Sequence, residues 1–375
     1  MATFGSRNPL NNNRMNRWND SLFLPPQRLE LVNKTQQPKS SADVAARFEK
    51  LLIGQPGVGK QILPYVQMFQ AGLSPENRPA GVFLLLGPTG TGKTRTVEAL
   101  AEALHGSSKN VLRVDCGEYQ MEHEVAKLIG APPGYLGHRE TQPLLSQARV
   151  QSVASENSSL SILLFDEIEK AAPSMMRMLL GVLDRGVLRL GDNNVVNLEK
   201  TMIFLTSNLG AETMQKELTP KMGFATMALD AEEANTLKRL ESIGLMAAKK
   251  RFSPEFMNRI DGVITYTPLD ERAMEKILML QLEAIQKHLD TRLGANSFEM
   301  AVTPKLRRFL LAKGVSREYG ARELKRTLQR YVLQPLASAV TSGKTQAGCV
   351  ATMDLKSEDK IQIRLTQPEA DDEGE

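Results

Sequence analysis

The residues Gly87-Pro88-Thr89-Gly90-Thr91-Gly92-Lys93-Thr94 set three glycines, a lysine and a hydroxyl at a spacing suited to holding phosphate groups. Glycines let consecutive backbone amides turn inward around an anion, and a helix N-terminus directly after them adds positive potential. Lys93 then reaches the β- and γ-phosphates of a nucleoside triphosphate, and the Thr94 hydroxyl can ligate Mg2+. A second stretch, Gly54-Gln55-Pro56-Gly57-Val58-Gly59-Lys60, meets the same spacing but fails on context. Gln61 stands where the Mg2+-binding hydroxyl belongs, and residues 48–53 read as the end of a helix rather than a buried strand.

Further along, Asp166 and Glu167 follow the apolar run Ile162-Leu163-Leu164-Phe165. Two carboxylates leaving a strand beside a phosphate loop have separate uses: Asp166 in the Mg2+ shell, and Glu167 polarising a water for in-line attack on the γ-phosphate. The run Met202-Ile203-Phe204-Leu205 leads likewise into Thr206-Ser207-Asn208, which puts hydroxyls and an amide at the same edge. Asn208 is placed to orient that water.

These groups meet only if the elements carrying them lie side by side. Short continuous apolar runs at 82–86, 111–114, 162–165, 202–205 and 263–266 alternate with helical patterns. Such runs are strands buried on both faces, and strands separated by helices imply a parallel sheet with helices on each side. A helix over 96–104 follows the phosphate loop. After Pro268 the texture changes: Met274, Leu278, Leu282, Ile285 and Leu289 recur every three or four residues, with Asp270 to cap the start and Gly294 the end. A strand at 298–302, a helix from Pro304, another over about 320–340 and a strand at 360–365 complete a smaller α+β unit. The chain divides into an arm (1–44), a nucleotide-binding α/β domain (45–265), a small domain (266–365) and an acidic tail (366–375).

Composition sets outer bounds. With 375 residues, two or three domains are expected at roughly 150 each. Hydrophobic residues at 41% exclude a wholly disordered chain. Lys+Arg 47 against Asp+Glu 43 leaves a net charge of +4, spread out rather than gathered, which argues against electrostatic nucleic-acid binding. Cys116 and Cys349 lie far apart, without the spacing of a zinc site or a disulfide framework, and fit a reducing compartment. No apolar run has the length of a membrane span, and the first residues lack the apolar core of a secretory signal, so a soluble, cytoplasmic protein is expected.

The motifs together resemble the AAA+ ATPases of the Clp-type ring unfoldases, most closely the second ATPase module of ClpB and ClpC. The resemblance covers about 45–365 and rests on Ile53-Gly54-Gln55, Ala71-Gly72-Leu73-Ser74, residues 87–94, 128–137 and 164–170, Thr206 to Leu209, 253–261, and Tyr319-Gly320-Ala321-Arg322. It implies a P-loop parallel sheet with a small lid domain, ATP and Mg2+ as cofactors, and a homo-oligomer in the form of a hexameric ring. Lys93 and Thr94 take the Walker A roles, Asp166 and Glu167 the Walker B roles, Asn208 the first sensor and Arg322 the second. Ile53 lies beside the adenine, and Arg259 is the arginine finger that acts on a neighbouring subunit's ATP. Gly134-Tyr135-Leu136-Gly137 matches the family's pore loop, with Tyr135 and Leu136 gripping polypeptide; a lower pore loop falls around 186–194, where Asp184-Arg185-Gly186 departs from the usual Asp-Asp-Gly. Met222-Gly223-Phe224 resembles the tripeptide with which some members dock on a ClpP-like peptidase.

A single-ring motor is therefore expected, threading unfolded or tagged proteins, without the N-terminal adaptor domain or middle insert of the large Clp proteins. Two other readings remain open at this point: a nucleotide-controlled scaffold that remodels one dedicated complex, and a DNA-directed AAA+ protein. The second lacks a basic stripe to support it.

Overall fold

The structure is a computed structural model that describes residues 41–130, 143–218, 229–314, 321–343, 345–357 and 359–366. Residues 1–40 of the expected arm and 367–375 of the expected tail lie outside these residues; residues 41–44, placed in the arm, instead open the helix Ser41–Leu51, where Val44 is buried in the core, and residue 366 ends the last strand. In chain order the strands are β1 (Gly81–Leu86), β2 (Leu112–Asp115), β3 (Ser161–Asp166), β4 (Val187–Arg189), β5 (Val195–Asn197), β6 (Thr201–Ser207), β7 (Gly262–Thr265), β8 (Glu299–Val302), β9 (Val350–Ser357) and β10 (Lys360–Thr366).

Five of them form a parallel sheet in the order β2-β3-β6-β1-β7. Every residue of β1, β3 and β6 is buried, the physical counterpart of their unbroken apolar runs. Alternate residues serve opposite faces. Val82, Leu84 and Leu86 join Leu163, Phe165, Ile203 and Leu205 beneath the helix Pro173–Arg185. Phe83 and Leu85 join Ile162, Leu164 and Phe204 beneath the helices Val58–Gln70 and Lys93–His105. From β1 the chain crosses to the far edge, returns through β3 and β6 to lie beside β1, and adds β7 on its other side. The loops that leave β3, β6 and β1 therefore emerge side by side at the carboxyl edge, where ligands bind in sheets of this kind.

A third core belongs to the small unit. Its first helix, Glu271–Leu293, starts at Asp270, whose carboxylate accepts from the Ala273 amide at 2.7 Å, and stops at Gly294. Met274, Leu278 and Leu282 on its inner face pack with Leu306, Leu310, Leu324 and Val332 and with Ala351 and Met353 of β9. The three-stranded sheet here runs β10-β9-β8, with β8 and β9 parallel and β9 and β10 antiparallel.

The structure differs from expectation in further places. The helix after the phosphate loop begins at Lys93, not residue 96. The helical stretch expected over 320–340 is interrupted, with a wide π turn at Gln329–Leu333 between Ala321–Leu328 and Gln334–Thr341. Pro335 has no N–H to give to the preceding turn, and widening that turn accommodates its ring. Strand β9 was not foreseen, and the region of the lower pore loop is a hairpin of β4 and β5. Cys116 and Cys349 are both buried and free, and among the described residues no helix is long and apolar enough to cross a membrane.

Candidate functional site

The phosphate loop joins β1 to the helix Lys93–His105. Gly87 adopts φ +145°, and a Cβ there would stand 2.6 Å from the Tyr266 carbonyl oxygen, so the turn closes only with glycine. Lys93 folds back into the loop, donating to the carbonyls of Gly87 (2.6 Å) and Pro88 (2.9 Å) and to Asn208 Oδ1 (3.0 Å). The Thr91 hydroxyl braces the same loop by donating to the Pro88 carbonyl at 2.9 Å. Loss of water around Lys93 lowers its pKa from 10.5 to about 8, although Glu169 and Asp166 pull the other way.

The acids emerge on the neighbouring strand. Asp166 ends β3; one carboxylate oxygen pairs with Arg113 on β2, and the other accepts the hydroxyl of Thr206 on β6. Thr206 Oγ1 in turn accepts the Glu167 amide at 3.1 Å, so one hydroxyl fixes both acids. Glu167 sits at φ 56°, ψ 49°, a left-handed conformation that costs a non-glycine residue about 1–2 kcal/mol. Backbone strain of this kind is typical where a side chain must be aimed. Its carboxylate meets Lys170 at 2.5 Å and Asn208 Nδ2 at 3.5 Å, and the pairing raises the Lys170 pKa. Asn208 thus stands between Lys93 and Glu167. Its backbone N–H donates to Glu169 Oε1 at 3.1 Å.

A cavity of about 390 Å³ opens over these groups, lined by Thr89, Gly90, Gly92, Lys93, Thr94, Asp166, Glu167, Asn208 and Arg322 among the residues expected from sequence. It also exposes Arg95, Glu98, Arg113 and Thr206 of the large unit and Ile277, Gln281, Ala321 and Lys325 of the small one. Sequence reasoning gave these eight no individual role; of them only Thr206, flagged as a sheet-edge hydroxyl, and Ala321, within the Tyr319-Gly320-Ala321-Arg322 motif, carried a local signal. The Ala321 amide donates to the Gly90 carbonyl at 3.2 Å, which brings the helix carrying Arg322 directly onto the phosphate loop.

Ile53 and Arg259 do not line this cavity. Gly54, next to Ile53, lies against Leu269 and Ala273 of the small unit, and a separate hollow of about 310 Å³ is lined by Phe48, Leu52, Gly54, Gln55 and Gly59. Arg259 donates to the Leu180 carbonyl (3.1 Å) and pairs with Glu255 (3.0 Å) and Asp184 (3.6 Å). Tyr135 and Leu136, and Met222, Gly223 and Phe224, lie outside the described residues.

The cavity suits a polyanion with a divalent cation. Lysine, arginine and loop amides surround it, while Thr94 and Asp166 offer the hard oxygens that Mg2+ prefers. Mg2+ is commonly held by one or two carboxylates plus phosphate oxygens rather than by an all-protein cage. Among the described residues no cluster of three or more His, Cys, Asp or Glu is placed to hold a metal.

A parallel sheet with a phosphate loop after β1, acids after β3 and a polar sensor after β6 defines a P-loop nucleoside triphosphatase. Comparison with known proteins narrows the class. The family described as AAA domain (Cdc48 subfamily) matches residues 78–263, and the C-terminal, D2-small domain of ClpB protein matches 269–353. Chaperone protein ClpB of Bacteroides thetaiotaomicron is 38% identical over 291 residues, covering 78% of this chain and 32% of that protein. The ATP-dependent Clp protease ATP-binding subunit ClpC of Staphylococcus aureus is 33% identical over 326 residues, covering 87% of this chain and 38% of its own. A closed-state reconstruction of Hsp104 with ATPγS and FITC casein superposes with a TM-score of 0.71 at 26% identity, over 87% of this chain and 51% of that one. The S. cerevisiae Hsp104-ADP complex gives 0.69 at 27%, over 85% and 51%. The chain belongs to the Clp-type AAA+ ATPases and corresponds to their second ATPase module. It spans about a third of the length of the curated relatives it matches.

Proposed function

We propose that this chain is an ATP-hydrolysing motor module that remodels proteins by drawing polypeptide through the pore of a hexameric ring of its own copies. The carrying observation is that one cavity gathers Lys93, Asp166, Glu167 and Asn208 from the large unit and Arg322 from the small one. A group bonded from both units is sensed by both, so turnover changes how they sit together.

Lys93 and the loop amides bind the triphosphate. Thr94 and Asp166 would hold a Mg2+ ion, which would supply charge neutralisation to the phosphate oxygens when bound. Glu167 accepts a proton from the attacking water, and Asn208, bonded to both Lys93 and Glu167, holds that water in line. Arg322 reads the γ-phosphate from the small unit. Arg259 serves the site of the adjoining copy, and Ile53 borders the adenine. Tyr135 and Leu136 grip the substrate: an aromatic ring offers apolar area to any sequence at little cost in entropy. Met222-Gly223-Phe224 is the docking point for a ClpP-like peptidase. Cytoplasmic residence, unfolded or tagged protein substrates and the absence of a nucleic-acid partner complete the reading. Relatives named as chaperones and as a Clp protease subunit support it, as does the Hsp104 structure with casein.

Steady-state ATP hydrolysis with and without casein, on this chain and on Tyr135→Ala, tests it. Casein is expected to stimulate the parent and not the variant. Basal hydrolysis without stimulation in either would overturn the threading role.

A further inference from the structure

In a loop whose amides turn inward around phosphate, the carbonyls are left to bond elsewhere. Here the small unit takes hold of one of them directly, and Gln55, which also bonds the segment leading to the small unit, takes hold of another. The Gly90 carbonyl accepts the Ala321 amide at 3.2 Å. The Thr91 carbonyl accepts Gln55 Nε2 at 3.1 Å, and the same Nε2 donates to the Thr267 carbonyl at 2.8 Å, in the segment between β7 and the helix Glu271–Leu293. Gln55 is 6% exposed. Both of its amide hydrogens are therefore in use, one to the phosphate loop and one to the interdomain segment, and water does not compete for either. The segment around it has no slack: a Cβ on Gly54 would stand 2.6 Å from Leu269 Cδ2 and 2.9 Å from Ala273 Cβ.

Tyr266 makes a second tie. It is fully buried; its hydroxyl donates to Thr96 Oγ1 at 2.7 Å, in the first turn after the phosphate loop, and its amide donates to the Leu86 carbonyl at 2.7 Å, at the end of β1.

We propose that Gln55 is a positioning residue that couples the placement of the small unit to the shape of the phosphate loop, with the Tyr266–Thr96 bond as a parallel tie. The inference rests on the nucleotide-site reading above. A shift of the interdomain segment moves the Thr267 carbonyl, and Gln55 passes that displacement to Thr91. Coupling of this kind is reciprocal, so a nucleotide that sets the loop also sets the small unit.

Gln55→Met keeps the bulk and removes both donors. Tyr266→Phe keeps the ring, and Thr96 Oγ1 still donates to the Gly92 carbonyl at 3.1 Å, so this variant folds even if the first does not. Each is compared with the parent by titration with fluorescent ATP and ADP analogues. Spin-label distances between Lys250→Cys and Arg308→Cys, both exposed and in different units, are measured with saturating ATPγS and with ADP. The parent is expected to show a nucleotide-dependent distance. In Gln55→Met the ATPγS Kd rises about tenfold and the distance no longer responds at saturation; Tyr266→Phe shows a smaller change in the same sense. A purely structural role would lower the melting temperature and leave the response at saturation intact. Parent-like responses in both variants, or a parent that binds nucleotide with no distance change, overturn the coupling and leave the nucleotide site standing. A parent that binds no nucleotide brings both down.

Discussion

Raising the pH from 7 to 10 is expected to strengthen the fold at Lys93 while weakening its hold on nucleotide. The lysine is buried, and loss of hydration lowers its pKa from 10.5 to about 8. Between those values the unfolded chain carries a proton that the folded chain has released, so unfolding becomes harder as pH rises. Below about pH 8 both forms are protonated, and the fold carries the full cost of the buried charge. The gap of 10.5 minus about 8, at about 1.36 kcal/mol per pH unit, is worth roughly 3 kcal/mol. Lys93→Met has no proton to release. The stability of the parent relative to this variant therefore climbs by most of that amount between pH 7 and 10, while groups common to both cancel. A bound triphosphate holds the proton on, so binding takes up a proton above pH 8, and Kd rises by up to about tenfold per pH unit. Urea unfolding of both proteins from pH 7 to 10 measures the first effect. Titration calorimetry at pH 9 in two buffers of unlike ionisation heat measures the second. A parent-minus-variant difference flat with pH, or binding without proton uptake, refutes the reasoning.

Glu167→Gln keeps the shape of the side chain and loses the base; hydrolysis is expected to fall by about 10²–10⁴ with ATP still bound, read by phosphate release and filter binding. Arg259→Ala is expected to lose about 10³–10⁵ in hydrolysis, and mixing it with Glu167→Gln restores turnover, since each copy then supplies what the other lacks; inactivity of every mixture argues against action between copies. Gly87→Ala places a methyl 2.6 Å from the Tyr266 carbonyl at φ +145°, costing about 2–4 kcal/mol in denaturant unfolding and weakening nucleotide binding. Asp270→Ala removes the cap on the Ala273 amide and costs about 1 kcal/mol in the same assay.

The large sheet was legible because strands buried on both faces leave unbroken apolar runs, and β1, β3 and β6 are of that kind. The first small-unit helix was legible because Asp270 and Gly294 mark its ends and the apolar period fills the span between. Strand β9 was lost because its burial alternates only weakly before ending in exposed residues. Strands β4 and β5, at three residues each, are too short to show a period. At the site, the phosphate loop and the acids carry their own local patterns. Arg113 carries none: an arginine near the end of a strand is commonplace, and it enters the site only because β2 pairs with β3 so that Asp115 lies opposite Asp166. Ile277, Gln281 and Lys325 reach the cavity only through docking of the small unit, which no local pattern encodes.

The role proposed for Arg259, on the triphosphate of an adjoining copy, has to be reconciled with its packing. Within its own chain it is held by three partners, none of which lines the nucleotide cavity. Its side chain is 22% exposed, but the side chains of Glu255 and Asp184 are 62% and 50% exposed. Ion pairs that wet contribute about 0–1 kcal/mol each. Turning the guanidinium from these acids toward a triphosphate on an adjoining copy would therefore cost little in ion pairing; it would also release the Nη1 bond to the Leu180 carbonyl, while the Arg259 backbone amide, donating to the Phe256 carbonyl at 3.2 Å, keeps the chain around it in register. A purely structural arginine would be buried against buried acids, and its loss would register mainly in stability. The wet pairs around Arg259 favour the opposite split, with a small loss in unfolding free energy and a large one in turnover.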